Sequence, residues 1–264
     1  MKYKCLSIGG FDGSGGAGIQ ADLKTFCATG VYGMTVLTVL PVQNTCGVRS
    51  CYDIPLACIA QQLQAIFEDI MPDAIKIGML FSAEIVELVA AFLKENAIGI
   101  PIVLDPVMVA KSGDTLLKMD AIKILKTQLI PIVDLITPNL PEAKILISSS
   151  DNQSILARKI LSLGCKAVLL KGGHENSSTA DDLFINYQEE QLLSARRIDS
   201  KNTHGTGCTL SAAITSFIAQ GFSPLEACRK AKEYLSDAIL YSKNESIGKG
   251  YGPVHHFYYL WQYL

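Results

Sequence analysis

The sequence has 264 residues, 49% hydrophobic and 18% charged, enough to bury a large core and unlike a disordered chain. Lys and Arg total 23 against 25 Asp and Glu, a net charge of −2, which excludes the broad basic footprint of a nucleic-acid binder. No apolar run approaches the roughly 18 residues of a membrane span, and MKYKCLSIGG is too short for a secretory signal, so a cytoplasmic protein is expected.

In chain order, strand-like apolar runs alternate with helical patterns. CLSIGG leads into the helix-like GAGIQADLKTFCATG, then the β-rich MTVLTVLPVQ, the helical ACIAQQLQAIFEDI and the strand AIKIGML. SAEIVELVAAFLKENA, PIVLDPVMV, AIKILKTQLIPIV, LITPN, SILARKILSLG and KAVLLKGG continue the alternation, and two helical segments span roughly 207–242. Strands this uniformly apolar are covered on both faces, which predicts a mostly parallel α/β sheet flanked by helices. DDLFINYQEEQLLSARRI is more polar and suits an antiparallel edge hairpin. SSSDNQS (148–154) reads as a surface loop, and with no repeat or low-complexity segment residues 1–264 are expected to form a single domain. The eight cysteines lack any C-x-x-C pair and are expected to be reduced thiols, mostly small core residues.

In open parallel sheets ligands bind beyond the carboxyl ends of the strands, and the glycine-rich and polar peptides fall there. Gly9 to Gly18 follows the first strand and opens a helix. It is either a tight turn or a close approach to a flat ligand, with Asp22 and Gln43 offering hydrogen bonds to ring nitrogens and an exocyclic amine. No acidic residue ends the second strand, where Pro41-Val42-Gln43-Asn44 stands, which argues against a dinucleotide fold. Asp105 ends an apolar strand and is followed by Lys111-Ser112-Gly113-Asp114; Lys171-Gly172-Gly173 ends another. Each alone fits a solvated strand end. In Thr137-Pro138-Asn139-Leu140-Pro141-Glu142, Asn139 and Glu142 lie at a strand–helix junction. They serve either as a favourable helix start or as oxygen groups for magnesium held through water.

Asn202-Thr203-His204-Gly205-Thr206-Gly207-Cys208 runs directly into a helix of small residues, whose first amides suit the charge of a transferring phosphoryl group. Cys208 stands in the first turn, where the helix field is expected to lower its pKa and let a thiolate accept a hydroxyl proton. The alternative is a glycine turn with an inert cysteine. No P-loop motif occurs, and His255-His256 lacks a partner at metal-ligand spacing and reads as terminal packing.

Taken together, DGSGGAGIQADLKTF, PVQNTCGV, IKIGML, VLDPVMVAKSGDTLL, LITPNLPEA, VLLKGGH, NTHGTGCTLSAA and GKGYGPVHHF resemble the bacterial hydroxymethylpyrimidine/phosphomethylpyrimidine kinases of thiamine biosynthesis, within the ribokinase-like superfamily. The resemblance implies a ribokinase-like fold, ATP with Mg2+, a homodimer, and phosphorylation of 4-amino-5-hydroxymethyl-2-methylpyrimidine and then of its monophosphate. It assigns the aminopyrimidine to Gln43, with Gly10, Ala17, Asp22, Met79 and Val107 shaping that pocket. Lys171, Asn139, Thr137 and Asp105 fall to the nucleotide, Glu142 to the metal, and Gly205, Thr206 and Gly207 to the anion hole beside Cys208. The superfamily often carries aspartate where Cys208 stands; the pyrimidine kinases are similar to this chain in having cysteine. Asp12-Gly13-Ser14 and Pro41-Val42 depart from the pattern expected near the ring. Competing readings are a pyridoxine/pyridoxal kinase, whose ring is also flat and bears a hydroxymethyl group, and a catalytically silent vitamin sensor.

Overall fold

The computed structural model describes residues 2–108, 119–172 and 178–263. Lys111-Ser112-Gly113-Asp114 and Gly173 lie outside them. The described chain runs β1 (Lys4–Gly9), α1 (Gly18–Ala28), β2 (Tyr32–Leu37), β3 (Val39–Asn44), β4 (Gly47–Asp53), α2 (Leu56–Asp69), β5 (Ala74–Ile77) and α3 (Ala83–Asn96). It continues through β6 (Ile102–Leu104), α4 (Met119–Ile124), β7 (Leu135–Ile136), α5 (Leu140–Ile147), α6 (Gln153–Leu161), β8 (Ala167–Leu170), β9 (Asp182–Asn186) and β10 (Glu190–Leu193). It closes with α7 (Thr206–Ala219), α8 (Pro224–Ser242) and α9 (Tyr258–Trp261).

Among the described residues the main sheet has the order β10-β9-β8-β7-β6-β5-β1-β2. The pairs from β2 to β8 are parallel, and β8–β9 and β9–β10 are antiparallel, as the polar hairpin segment predicts. Alternate residues of each parallel strand feed opposite cores. Leu6, Ile8, Ile102, Leu104, Ile136, Val168 and Leu170 pack with α2, α3 and α6, whereas Val103, Leu135, Ala167 and Leu169 pack against α7 and α8. This two-sided burial is why those strands read as continuous apolar runs.

Helix α7 is buried along most of its length, with small residues that let it lie against β1, β5, β6, α1 and α8. Its buried hydroxyls bond locally: Thr215 Oγ1 donates to Ser211 O at 2.8 Å and Ser211 Oγ to Gly207 O at 3.0 Å. Helix α5 starts with a capping box in which the Asn139 side chain accepts from Glu142 N and Glu142 accepts from Asn139 N.

Two expectations change. MTVLTVLPVQ is two strands, because at Thr38 the chain leaves the main sheet and β3 folds back on β4 as a separate antiparallel pair. Thr38 is wholly buried and ties the junction, its N–H donating to Gly9 O and its hydroxyl to Met79 O at 2.6 Å. The cysteines are not mostly core: Cys5, Cys165 and Cys228 are buried, whereas Cys27, Cys46 and Cys58 are exposed and Cys51 and Cys208 are half-buried. His255 and His256 do pack. His255 stands edge-on to Trp261 with centroids 5.0 Å apart, and buried His256 meets Thr209 Oγ1 at 3.1 Å. Burial pushes the His256 pKa down to about 3, so its ring is neutral.

Candidate active site

β1 pairs with β2 on one side and β5 on the other, so connections leave in opposite directions beyond its carboxyl end. Such a reversal opens a crevice. A cleft of about 630 Å³ lies there, lined by the β1–α1 loop, the β3 end, and the ends of β5, β6 and β8. The starts of α5 and α7 complete it, and it extends to Arg196, Leu235 and Ile239.

At its anionic end Gly205 has φ +74° and opens α7 with no side chain capping the first turn. The amides of that turn face the cleft with the positive end of the helix behind them. Opposite stands Lys171, whose Nζ lies 2.9 Å from Asp105 Oδ1. Burial works against the Lys171 charge, but Asp105 and Glu142 outweigh it and hold its pKa above the ordinary lysine value. Burial pushes Glu142 up to about 7; Lys171 opposes that rise and Asp105 adds to it. Two carboxylates therefore share one ammonium, an arrangement that would take a further cation.

At the other end Gln43 Nε2 donates to Phe11 O at 3.1 Å, which orients the amide and leaves its carbonyl oxygen as an acceptor. Met79 and Val107 make an apolar wall with Val39. A Cβ on Gly10 would stand 3.1 Å from Val39 Cγ1 and 3.3 Å from Met79 Sδ, so a side chain there would crowd this wall.

Of the residues singled out by sequence, Cys208, Gly205, Thr206, Gly207, Gln43, Gly10, Ala17, Met79, Val107, Lys171, Asn139, Asp105 and Glu142 all line this cleft. Asp22 and Thr137 are corrections. Asp22 is wholly buried beneath the floor, its Oδ2 accepting from Ser7 Oγ at 2.5 Å and Lys76 Nζ at 2.8 Å, and it does not line the cleft. Thr137 is also wholly buried and bonds Asp105 Oδ1 at 3.3 Å, steadying the carboxylate from behind. The expected fall in the Cys208 pKa is a third correction: burial pushes the thiol up to about 11, against the opposing pull of Lys76 and the Gly18 amide. The helix field is outweighed because the sulfur is desolvated.

Lys76, Asp12 and His204 line or brace the site and were missed. Lys76 lies at the cleft floor in an ion pair with Asp22, and burial, which works against its charge, is outweighed by Asp22 and its neighbours. The available signal was a lysine inside the uniformly apolar AIKIGML.

The chain matches the phosphomethylpyrimidine kinase family over residues 12–255. It is 48% identical to the hydroxymethylpyrimidine/phosphomethylpyrimidine kinase of Salmonella typhimurium, over 99% of this chain and 100% of that protein. It is 45% identical to the thiamine biosynthesis bifunctional protein ThiED of Geobacter sulfurreducens, over 95% of this chain and 51% of that protein. Among solved structures, the pyridoxal kinase of Staphylococcus aureus in complex with ADP superposes with a TM-score of 0.89 at 34% identity, covering 98% and 95% of the two chains.

Proposed function

The chain belongs to the phosphomethylpyrimidine kinase family, and from that premise we propose that its cleft binds an aminopyrimidine at Gln43 and ATP at Lys171 and the start of α7. It is a phosphotransferase of thiamine biosynthesis, phosphorylating 4-amino-5-hydroxymethyl-2-methylpyrimidine and then the resulting monophosphate. The observation that carries the assignment of residues is one continuous cleft joining the Gln43 amide to Lys171 and to the uncapped first turn of α7.

In this reading Met79 and Val107 sandwich the ring, Gln43 pairs with its polar edge, and Gly10 and Ala17 let the backbone close on it. Lys171 neutralises the phosphates, and the Thr206 and Gly207 amides receive the charge of the transferring group. Cys208 accepts the hydroxyl proton as a thiolate, a form that burial disfavours in the resting site and that the charge of Lys76 and the Gly18 amide favour. A loose transition state asks little of that base.

Among the described residues no group of three His, Cys, Asp or Glu side chains would hold a metal by itself. Buried Glu142, raised to about 7 beside Asp105, nonetheless fits Mg2+, which keeps several waters and takes one or two carboxylates plus phosphate oxygens. Magnesium would supply charge neutralisation between the nucleotide phosphates and Glu142. No helix among the described residues is long and apolar enough to cross a membrane, and a cytoplasmic homodimer completes the proposal.

Likeness to a pyridoxal kinase keeps a B6 kinase as the second reading. A coupled ADP-release assay with ATP and magnesium, offering hydroxymethylpyrimidine, its monophosphate and pyridoxal, decides between them. Turnover of both pyrimidines well above pyridoxal is expected; turnover of pyridoxal alone overturns the substrate assignment.

A further inference from the structure

Two glycine-rich loops from opposite ends of the chain lock together behind the cleft. Asp12 is wholly buried, and its oxygens accept from Ser14 N (2.9 Å), Ser14 Oγ (2.7 Å), Gly16 N (3.2 Å) and Ala17 N (2.7 Å). The carboxylate is the hub about which the β1–α1 loop turns. Its remaining partner comes from the α7 side: His204 Nε2 lies 2.7 Å from Asp12 Oδ2. Burial works against the Asp12 charge, yet the bonds from His204 and Ser14 hold its pKa down to about 2. An ionised carboxylate only accepts, so Nε2 carries the proton and the ring donates.

The His204 backbone N–H donates to Gly252 O at 3.0 Å, so its main chain is held by the carboxyl-terminal segment. The next residue, Gly205, lies so near the β1–α1 loop that a Cβ on it would stand 1.7 Å from Gly16 O. That loop ends at Gly18, which lines the cleft with Cys208 and whose amide favours the Cys208 thiolate. On the same loop Gly15 O accepts from Lys24 Nζ at 2.7 Å.

We propose that His204 is a positioning residue for phosphoryl transfer: by clamping Asp12 it fixes the β1–α1 loop against the first turn of α7 and so sets Cys208 and the anion-binding amides relative to the substrate ring. The inference rests on the reading of Cys208 as proton acceptor. In this role His204 and Asp12 act through the backbone they hold.

The test is steady-state kinetics together with peptide-resolved iodoacetamide labelling of Cys208 against pH, on the full chain. His204→Ala is expected to lose roughly 10- to 100-fold in kcat, as a displacement of about 1 Å would. Its KM for ATP should stay within about twofold, since ground-state binding is kept. With the Gly18 amide drawn off the sulfur, the labelling profile should move to higher pH. His204→Gln, which keeps a donor where Nε2 stands, should recover most of both. Wild-type kcat in His204→Ala, or a His204→Gln enzyme as slow as His204→Ala while both melt like wild type, overturns the proposal. If His204→Ala does not fold, His204→Gln against the shorter His204→Asn makes the same comparison, and equal kcat values overturn it. The labelling arm is independent of the proton-acceptor role: an active Cys208→Ala enzyme would remove that role and leave the labelling shift to test the clamp.

Discussion

Gly205→Ala puts the meeting of the two loops under direct strain. Gly205 has φ +74°, and a Cβ there would stand 1.7 Å from Gly16 O and 3.0 Å from Ala17 Cα. Ordinary contact begins at 3.4 Å, so the loops must part by about 1.7 Å (3.4 − 1.7) or the helix start must rotate. Left-handed backbone costs an alanine roughly 1–2 kcal/mol, and forced separation of packed groups adds about 1–3 kcal/mol. The sum, roughly 2–5 kcal/mol, lowers Tm by about 4–20 °C in a chain of this size. A displacement above 1 Å at the first turn of α7 should also cost on the order of 100-fold in kcat. Circular-dichroism melting and coupled ADP release read the two effects. Gly207→Ala is the control, because its Cβ would meet only Asp105 Oδ2 at 3.4 Å and Lys171 Nζ at 3.5 Å. It should melt like wild type while raising the KM for ATP, since the methyl group enters the anion site. A Gly205→Ala enzyme melting within about 2 °C of wild type with intact kcat would refute the interlock.

Lys76→Met strands the Asp22 carboxylate in the interior and should cost about 3–5 kcal/mol in urea unfolding. The double variant with Asp22→Asn should recover part of that loss; an equal loss in single and double variants would sink the ion-pair reading. Glu142, raised from 4.5 to about 7, stabilises the nucleotide-free fold in its protonated form, so that contribution is complete below 4.5 and lost as pH rises through about 7. Glu142→Gln should flatten the fall in Tm across that window, and magnesium should bind the wild-type enzyme more weakly below pH 7; an unchanged Tm profile contradicts the assignment. Cys208→Ala should keep nucleotide binding, measured by calorimetry, and lose most turnover, whereas near-normal turnover moves the base elsewhere. Gln43→Ala should weaken pyrimidine binding by about 1–3 kcal/mol with the KM for ATP unchanged, and equal losses for both ligands would place Gln43 in a general structural role.

The parallel sheet and the cleft were legible because two-sided burial writes itself as apolar strands, and because glycine loops cluster where those strands end. The edge hairpin from Asp182 to Leu193 was equally plain from its polarity. The split at Thr38 was not, since MTVLTVLPVQ keeps β-forming residues throughout and only tertiary bonds to Gly9 and Met79 turn the chain. Asp22 was misplaced for a related reason. A carboxylate near a glycine loop reads as ligand-facing, and its partner Lys76 stands 54 residues further on. The Cys208 pKa failed differently: position in a helix gives the sign of the local field but not the desolvation that overrides it.

Gln43 sits on β3, which bonds to β4 and not to the main sheet, while Lys171, Asp105 and the α7 amides belong to the main sheet and its flanking helix. The amide that pairs with the polar edge of the ring is thus carried outside the sheet that handles phosphate and is joined to it through Phe11 of the β1–α1 loop. A change in that hairpin can alter the pairing edge offered to a heterocycle while leaving Lys171 and the α7 amides in place.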